Sequence, residues 1–474
     1  MPVPREACHL LKPAPQLPLR TTSPLTWALH RLLGFVLDLA VLILLVVISP
    51  WILWLVIGRR RSPGSLRERL GGWSISLPVR ERIWVHAVSV GELRAVLPVL
   101  DQLRELRPGS EIVISTTTVS ARDLARRSRP DLLVRLLPLD LGPCVRQVLS
   151  RLRPTLLVLV ELELWPNLLL ECHMAGVPVM VVNGRISDKG WRQMKRLRWL
   201  FGPMFRSLTE VLVRDEENFD RFVDMGVHRE RTTCPGNLKF DIEVSDDGGA
   251  ARERLDRAWG QPPGTVRWMG GCTHPGEEEI LLDLHRQLLE EGLARCLVLA
   301  PRHGERAGEV LRLASGRGFR AVYLAGARDE SPEVVVVDQV GVLDELYRAS
   351  TLVFVGGSLV PHGGQNVLEA VAAGAVTFCG PHHENFREVV EALKEAGAIE
   401  VIEDSRQLAG GVREWIGDPL RCSERGELGR RTIIALGGAS ERSAERIAAL
   451  SSSQRDAWGN PGSPVASGTS PSIC

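Results

Sequence analysis

The chain has 474 residues, which is long enough for two or three domains with hydrophobic cores of ordinary size. Its 58 Lys and Arg residues nearly balance 57 Asp and Glu residues, for a formal net charge of +1, so overall charge gives no support for a nucleic-acid-binding protein. Nine Cys are scattered without a Cys-X-X-Cys pair, which argues against a zinc site and a disulfide framework and fits a reducing compartment.

The amino-terminal part of the chain predicts a disordered extension followed by a membrane anchor. Residues 1–26 are rich in proline and lack periodicity. Residues 27–62 contain the uncharged run Leu39–Ile57, which as a helix reaches about 28 Å, close to the thickness of a bilayer's hydrocarbon core. Arg59, Arg60 and Arg61 directly follow this run and predict that the next domains lie on the cytoplasmic side. A spanning helix and a half-inserted helix both fit, because Asp38 precedes the run.

From residue 63 to residue 235, β-rich runs alternate with helical segments, which is typical of βαβ units and a parallel sheet. The predicted elements, alternating from strand to helix, are Ile83–Val85, Leu93–Arg107, Ile112–Thr116, Ala121–Arg129, Leu132–Pro138, Cys144–Arg151, Thr155–Val160, and, further along, the strand Val179–Val182 and the helix Trp191–Arg206. The last helix is basic and contains aromatic residues. It could rest on a bilayer or hold an anionic lipid, although a solvated helix face is the commoner explanation of such charges.

The stretch Trp84–Glu92 joins a strand to a helix start through a turn that contains glycine. Parallel α/β folds place chemistry at this position, at the carboxyl end of a strand. Glu92 would lie in the first helical turn, where the helix dipole favours its ionised form. Taken alone, this stretch favours a helix cap over a catalytic base.

A second stretch with carboxylates follows the apolar strand Leu156–Val160. Glu161 and Glu163 share one side if the chain stays extended, and Trp165-Pro166-Asn167 comes next. A carboxylate at the end of a buried strand must find a hydrogen-bond donor or face a cleft. A structural role for Glu161, as an acceptor of backbone amides, and a catalytic role are equally open.

The α/β pattern restarts after the Pro235-Gly236 junction and predicts a second domain over residues 236–450, followed by a disordered tail over residues 451–474. Thr273 is predicted to cap the helix that begins at about Glu277. Arg302 projects from the carboxyl end of a strand and suits a phosphate. The predicted strands are Val266–Gly270, Cys296–Ala300, Val334–Val337, Leu352–Val355 and Ala375–Cys379.

Two adjacent glycines, Gly356 and Gly357, follow one of these buried strands. We expect their loop to bring backbone amides against a ligand, and the helix start that follows suits an anion. Glu369, just inside that helix, could accept both hydroxyls of a ribose. The loop is neither a Walker A loop nor a GxGxxG fingerprint, so the sequence does not support a P-loop NTPase or a dinucleotide-binding protein.

Two successive α/β halves, with a nucleotide site in the second, describe the GT-B glycosyltransferase plan of two Rossmann-like domains facing a cleft. Six motifs together closely resemble the 3-deoxy-D-manno-octulosonic acid (Kdo) transferases of lipopolysaccharide synthesis, and the match runs in order from the membrane segment to about residue 390. The motifs are residues 86–92 (HAVSVGE), 161–167 (ELELWPN), 236–241 (GNLKFD), 301–303 (PRH), 356–360 (GGSLV) and 363–369 (GGQNVLE).

The resemblance implies an inverting transfer of Kdo from CMP-Kdo to the 6′-hydroxyl of a lipid A precursor (lipid IVA) at the inner face of the inner membrane, with an acceptor domain first and a CMP-sugar domain second. Glu92 matches the family's general base, and Glu161 and Lys239 match positions of transition-state stabilisation. The positions that match CMP-binding segments are Pro301, Arg302, Val340, Gly341, Val342, Asn366, Val367, Leu368 and Glu369. The resemblance implies no cofactor, since CMP-Kdo is a substrate, and no metal, since protein cations can meet the charge of departing CMP.

The family usually has His where Gln365 stands and Glu where Val342 stands. Two other functions stay open: a membrane-associated GT-B transferase that uses a UDP-sugar, and a catalytically silent, membrane-tethered binding protein. The joint presence of Glu92, Glu161 and Lys239 speaks against the silent protein, because a scaffold needs none of them.

Overall fold

The computed structural model describes residues 63–75, 81–244, 247–263, 265–327 and 331–457. The predicted extension and anchor, and residues 458–474 of the predicted tail, lie outside these described residues. Across the part of the chain that the structure describes, no helix has the length and apolar character needed to cross a membrane. The chain forms two compact units, one that ends at Lys239 and resumes at Gly438, and one over Phe240–Gly437.

The first unit is built on a parallel sheet of seven strands. Strands β1 to β7 are Arg82–Ala87, Glu111–Thr116, Leu133–Leu136, Leu156–Val160, Val179–Gly184, Glu210–Val213 and Thr232–Thr233. Their order in the sheet is β3-β2-β1-β4-β5-β6-β7. The α-helices of this unit are Pro63–Arg69, Val90–Leu106, Val119–Ser128, Gly142–Leu152, Pro166–Met174, Asp188–Arg196, Arg198–Ser207, Glu216–Met225 and Ala439–Ala457.

Both faces of this first sheet are covered. Along β1, Ile83 and Val85 lie in one hydrophobic core and Trp84 lies in another. Successive side chains of a strand point to opposite faces, so each face has its own core. Helix Val90–Leu106 contributes to the first core and helix Gly142–Leu152 to the second. Because both faces are covered, successive residues along each strand are buried, which explains the continuous apolar runs in the sequence.

The second unit also contains a parallel sheet of seven strands. Strands β8 to β14 are Arg267–Thr273, Cys296–Pro301, Ala321–Tyr323, Val334–Val336, Leu352–Val355, Val376–Cys379 and Glu400–Val401. Their order in the sheet is β10-β11-β9-β8-β12-β13-β14. The α-helices are Gly248–Ala258, Glu277–Glu290, Ala307–Gly316, Leu343–Ala349, Leu368–Ala372, Arg387–Glu395, Ser405–Ile416 and Pro419–Leu436. Trp268 and Met269 of β8 lie in two different cores, so this sheet is also covered on both faces.

The end of the chain differs from the sequence prediction. Helix Ala439–Ala457 packs Ile447 and Leu450 into a core of the first unit, and it continues through residues 451–457, where a disordered tail was expected. Its attachment is also polar, because Arg446 forms an ion pair of 2.6 Å with Glu210. The final helix therefore belongs to the first unit, whereas the sequence pattern assigns residues up to 450 to the second domain.

The predicted single helix Trp191–Arg206 is two helices, Asp188–Arg196 and Arg198–Ser207. The chain leaves helical geometry at Leu197, with φ −106° and ψ 31°. The first helix buries none of its residues, while the second buries Phe205 in a core of its unit. The break thus lets the second helix bury Phe205 in this core, while the first helix contacts the core only through the partly buried Trp191 and Met194.

Candidate active site

Glu92 lies in the first turn of the helix that follows β1. Ser89 is the helix cap, and its hydroxyl accepts a hydrogen bond from the Glu92 amide at 3.2 Å and donates one to the carboxylate at 2.9 Å. The Val88 amide donates to the other carboxylate oxygen at 2.7 Å. The cap that the sequence favours is therefore confirmed.

The expected preference of Glu92 for its ionised form needs correction. Burial raises the pKa of Glu92, the amide of Val88 opposes that shift, and the negative charge of Glu161 adds to it, with a raised pKa as the result. The effect of the helix start on the pKa of Glu92 is therefore smaller than the effect of desolvation. A carboxylate with a raised pKa is a better proton acceptor than an ordinary one, which suits a general base.

Glu161 directly follows β4 and adopts a left-handed backbone conformation, with φ +62°. Its amide donates to the Val182 carbonyl at 2.9 Å, which ties the turn to β5. Non-glycine residues seldom adopt this conformation, and they concentrate at functional sites. Because the chain does not stay extended here, the expectation that Glu161 and Glu163 share one side of a strand does not apply.

Glu163 was not among the predicted site residues, yet it carries the most perturbed carboxyl group of this region. Burial raises the pKa of Glu163 to about 7, and the negative charges of Glu92 and Glu161 contribute to the shift. Strands β1 and β4 are neighbours in the sheet, so the three carboxylates form one coupled group at its carboxyl edge. The Glu-X-Glu spacing after a buried strand was the signal that could have identified Glu163.

Lys239 lies in a short helical turn, Leu238–Phe240, and its side chain is half-buried. Asn183, at the end of β5, accepts a hydrogen bond from the Leu238 amide at 3.2 Å, and Asn237 accepts one from the Lys239 amide at 3.1 Å. Strand β5 lies next to β4. The turn that carries Lys239 is thus fastened to the same edge of the same sheet as the carboxylates.

In the second unit, Arg302 and Glu369 both act on the thiol of Cys272, the penultimate residue of β8, which has φ +53°. Burial raises the pKa of Cys272, the charge of Arg302 lowers it, and the charge of Glu369 raises it. Arg302 directly follows Pro301, the last residue of β9, and its side chain is exposed. Glu369 accepts a hydrogen bond from the Asn366 side chain at 3.0 Å. Two of the predicted CMP-binding residues, Asn366 and Glu369, are therefore in contact, and Arg302 and Glu369 both act electrostatically on one thiol.

The other predicted CMP-binding residues differ in whether their side chains are exposed or buried. Val340 is 99% exposed, and Gly341 has φ +90°. Val342 packs partly against a core, as the start of helix Leu343–Ala349. Val367 and Leu368 are buried in that core, so only their backbone groups can face a nucleotide.

The loop after β12 does not offer its amides to a ligand, contrary to the sequence expectation. The amides of Gly357, Ser358 and Leu359 donate to the Glu277 carboxylate at 2.8, 3.0 and 3.0 Å. The His274 amide adds a fourth bond of 2.9 Å, and Glu277 is fully buried. An internal carboxylate therefore occupies the anion position that the glycine pattern predicts for a ligand.

Two related predictions change with this finding. The close approach explains Gly356, because a Cβ there would lie 2.6 Å from the Thr273 Cα and 2.7 Å from a carboxylate oxygen of Glu277. Thr273 is not a helix cap, because β8 includes it and its hydroxyl donates to Glu278 at 2.9 Å. The helix starts instead after Gly276, which has φ +93°.

Three histidines lie beside this loop. The rings of His274 and His362 stack at 4.2 Å between centroids, and the ring of His303 meets His274 edge-on at 6.0 Å. Burial lowers the pKa of His274, and electrostatic interactions with His362 and His303 lower it further. Among the residues that the structure describes, no group of three or more His, Cys, Asp or Glu side chains could hold a metal ion.

Two family models match the chain. One, described as 3-deoxy-D-manno-octulosonic-acid transferase (kdotransferase), matches residues 64–242, and the other, glycosyl transferases group 1, matches residues 273–432. The 3-deoxy-D-manno-octulosonic acid transferase of Bordetella pertussis is 30% identical over 419 residues, which is 84% of this chain and 95% of that protein. The transferase of the same name from Haemophilus influenzae is 29% identical over 408 residues, with coverage of 84% and 95%.

Among solved structures, a glycosyltransferase from Rickettsia africae matches with a TM-score of 0.52 and 12% identity, over 78% of this chain and 98% of that one. The two parallel α/β units and this likeness define a GT-B-like glycosyltransferase fold, which confirms the predicted fold class. The family models and the relatives then identify the family. The chain belongs to the Kdo transferase family and is a glycosyltransferase of that type.

Proposed function

We propose that the protein transfers Kdo from CMP-Kdo to a lipid A precursor, lipid IVA, in lipopolysaccharide synthesis, with inversion at the anomeric carbon. The observation that carries this proposal is the coupled carboxylate group of the first unit, Glu92 with Glu161 and Glu163, in a chain of the Kdo transferase family. Such a group suits a reaction that needs a base for a hydroxyl and negative charge beside a carbon that becomes positive.

Glu92 is the general base of the proposed reaction. It takes the proton from the acceptor hydroxyl while the oxygen attacks the ketosidic carbon and the bond to the CMP phosphate breaks. The hydrogen bonds from Val88 and Ser89 fix the orientation of its carboxylate. One displacement inverts the configuration with a single base, so no covalent intermediate on the protein is needed.

Glu161 and Lys239 stabilise charges of opposite sign in the transition state. The carboxylate of Glu161 favours the oxocarbenium-like carbon, and the ammonium of Lys239 favours the phosphate oxygen that gains charge as CMP departs. The left-handed backbone of Glu161 supports this role, because a strained conformation at a strand end is typical of residues held in place for function.

The CMP portion binds to the second unit through Pro301 and Arg302, residues 340–342 and residues 366–369. Arg302 forms an ion pair with the phosphate, and Glu369 accepts hydrogen bonds from the ribose hydroxyls. Because the amides after β12 already bind Glu277, a cationic side chain rather than the glycine loop has to meet the donor's negative charge. No cofactor and no metal enters this scheme.

The acceptor is a lipid, so we also propose that residues 27–62 anchor the protein in the inner membrane with both units on the cytoplasmic side. The uncharged run Leu39–Ile57 and the three arginines after it support this arrangement.

The test is to incubate the purified full-length protein with CMP-Kdo and a tetra-acylated lipid A precursor and to measure the product mass. We expect products heavier than the acceptor by whole Kdo residues, and none from the Glu92→Gln variant. Protection against thermal unfolding by a UDP-hexose but not by CMP would instead indicate a UDP-sugar transferase. A protein that binds CMP but forms no product would be a silent relative.

A further inference from the structure

The junction of helices Asp188–Arg196 and Arg198–Ser207 presents an unusual surface. We define the Trp199 surface as residues 195–200 together with Lys189 and Arg192. All of these residues are exposed, and three are large and apolar: Leu197 (39%), Trp199 (76%) and Leu200 (43%). Within the described ranges, no other tryptophan belongs to the exposed large hydrophobic residues. Single exposed apolar residues are ordinary, but three within four positions require an explanation.

One cation of this surface, Lys195, contacts a neighbouring helix, whereas Lys189, Arg192 and Arg196 lie on another face of helix Asp188–Arg196. Trp191 donates to Asp224 at 2.9 Å, and Lys195 forms an ion pair with Asp224, also at 2.9 Å. These contacts hold one side of helix Asp188–Arg196 against helix Glu216–Met225. Lys189, Arg192 and Arg196 follow the spacing of another helix face. For Arg192 and Arg196, the described part of the chain supplies no ion pair.

We propose that the Trp199 surface docks on an anionic lipid bilayer. Trp199, Leu197 and Leu200 lie at the headgroup level, and Lys189, Arg192 and Arg196 contact lipid phosphates. Tryptophan prefers this interface because its ring is apolar and its N–H can still hydrogen-bond. Helices that lie on membranes combine such an apolar tip with surrounding Lys and Arg. The helix break at Leu197 exposes the tip, because it keeps residues 197–200 away from the core that receives Phe205.

A bilayer fits this surface better than the chain's own apolar run does. Leu39–Ile57 could cover apolar side chains, but it contains no acidic residue that would neutralise the cations. An anionic bilayer supplies both an apolar layer, its acyl chains, and negative charge, its headgroups. The inference goes beyond the proposed transfer reaction and does not depend on which sugar is transferred.

The experiment is hydrogen–deuterium exchange on the full-length protein in phosphatidylcholine vesicles with and without phosphatidylglycerol, and in detergent. The amides of Leu197, Leu200 and Phe201 donate to backbone carbonyls, whereas those of Arg198 and Trp199 are in the first helical turn, where amides lack helical acceptors and exchange fast unless they are covered. We expect exchange in residues 197–201 to slow by about tenfold or more only in anionic vesicles, since each cation near such a surface strengthens binding roughly fivefold.

The variants make the test specific. Arg192→Gln with Arg196→Gln should remove most of the protection, and Trp199→Ala should reduce it severalfold. Leu420→Ala is the matched control, because Leu420 is 79% exposed in the second unit and should leave protection unchanged. Equal protection in both vesicle types, or none in either, would overturn the proposal. Protection in detergent would assign the surface to another segment of the chain and would overturn it as well.

This measurement needs no donor or acceptor. A protein that docks but does not transfer Kdo would contradict the proposed function alone. A protein that transfers Kdo without protection at residues 197–201 would contradict only the docking surface.

Discussion

The carboxyl edges of the two sheets both hold acids, but those of the second unit are fully buried and those of the first unit are half-buried. In the second unit, Glu277 accepts four backbone hydrogen bonds, and Glu278 accepts from Thr273 and from Arg306 at 2.8 Å. In the first unit, burial raises the pKa of Glu92 and of Glu163, and neighbouring carboxylates raise both further. The two acids of the second unit are paired with hydrogen-bond donors and a cation, whereas those of the first unit lie beside other carboxylates, although Glu92 also accepts two hydrogen bonds.

This difference distinguishes carboxylates that stabilise the fold from carboxylates that can take part in a reaction. A buried charge that is fully hydrogen-bonded fixes a loop and cannot easily exchange a proton. A half-buried charge beside like charges holds its proton more readily, which a stable fold does not need but a base does. Glu277 is therefore expected to matter for stability and Glu92 for transfer, and the following changes test that division.

The largest effect is expected from Glu92→Gln. The amide keeps the size of the side chain and one hydrogen-bond acceptor but cannot take a proton, so the transfer rate should fall by about 100-fold to 10,000-fold. CMP should bind as in the unaltered protein, measured by calorimetry. Glu105→Gln, which alters an exposed acid of the same helix, is the control and should retain full activity. Substantial residual transfer by the Glu92 variant would remove it as the base.

Glu277→Gln should act on stability instead. A glutamine has one acceptor oxygen, and its NH₂ group would face amides that now donate to a carboxylate. We expect the second unit to lose about 3 kcal/mol in free energy of unfolding, measured by denaturant titration. Glu279→Gln, at a partly exposed acid that accepts only from the Gly276 amide, should cost much less. Equal losses for the two variants would show that the buried carboxylate has no special role.

Arg302→Ala tests whether an exposed cation, rather than the loop amides, meets the donor's charge. Loss of a charge-assisted hydrogen bond should raise the KM for CMP-Kdo by about tenfold or more, with a smaller fall in kcat. Arg312→Ala removes an equally exposed arginine from helix Ala307–Gly316 and should change neither constant. An unchanged KM for the Arg302 variant would exclude Arg302 from the nucleotide site.

Local signals predicted much of this fold, and long-range contacts account for what they missed. The apolar runs and the turn before Glu92 are encoded in neighbouring residues, so the strands and the helix cap could be predicted. The partner of Glu277 lies 80 residues away at Gly357, and Arg442 of the last helix donates to Pro235, 207 residues away. No local pattern reports such contacts. The amide loop and the return of the chain to the first unit were therefore mispredicted.

The raised pKa of Glu163 has the same origin, because it depends on burial and on charges from a different strand. Glu163→Gln should give the smallest effect, and this effect should depend on pH. Burial and the charges of Glu92 and Glu161 raise the pKa of Glu163 to about 7, so Glu163 keeps its proton where an ordinary glutamate has lost it. A carboxyl whose pKa rises from 4.5 to about 7 on folding loses its stabilising contribution as pH increases through that window. Glutamine does not titrate, so the variant should gain Tm relative to the unaltered protein at pH 8 but not at pH 4. A Tm difference that is the same at both pH values would mean that burial and the neighbouring carboxylates do not raise the pKa of Glu163, and that the acids of the first sheet edge are as structural as Glu277.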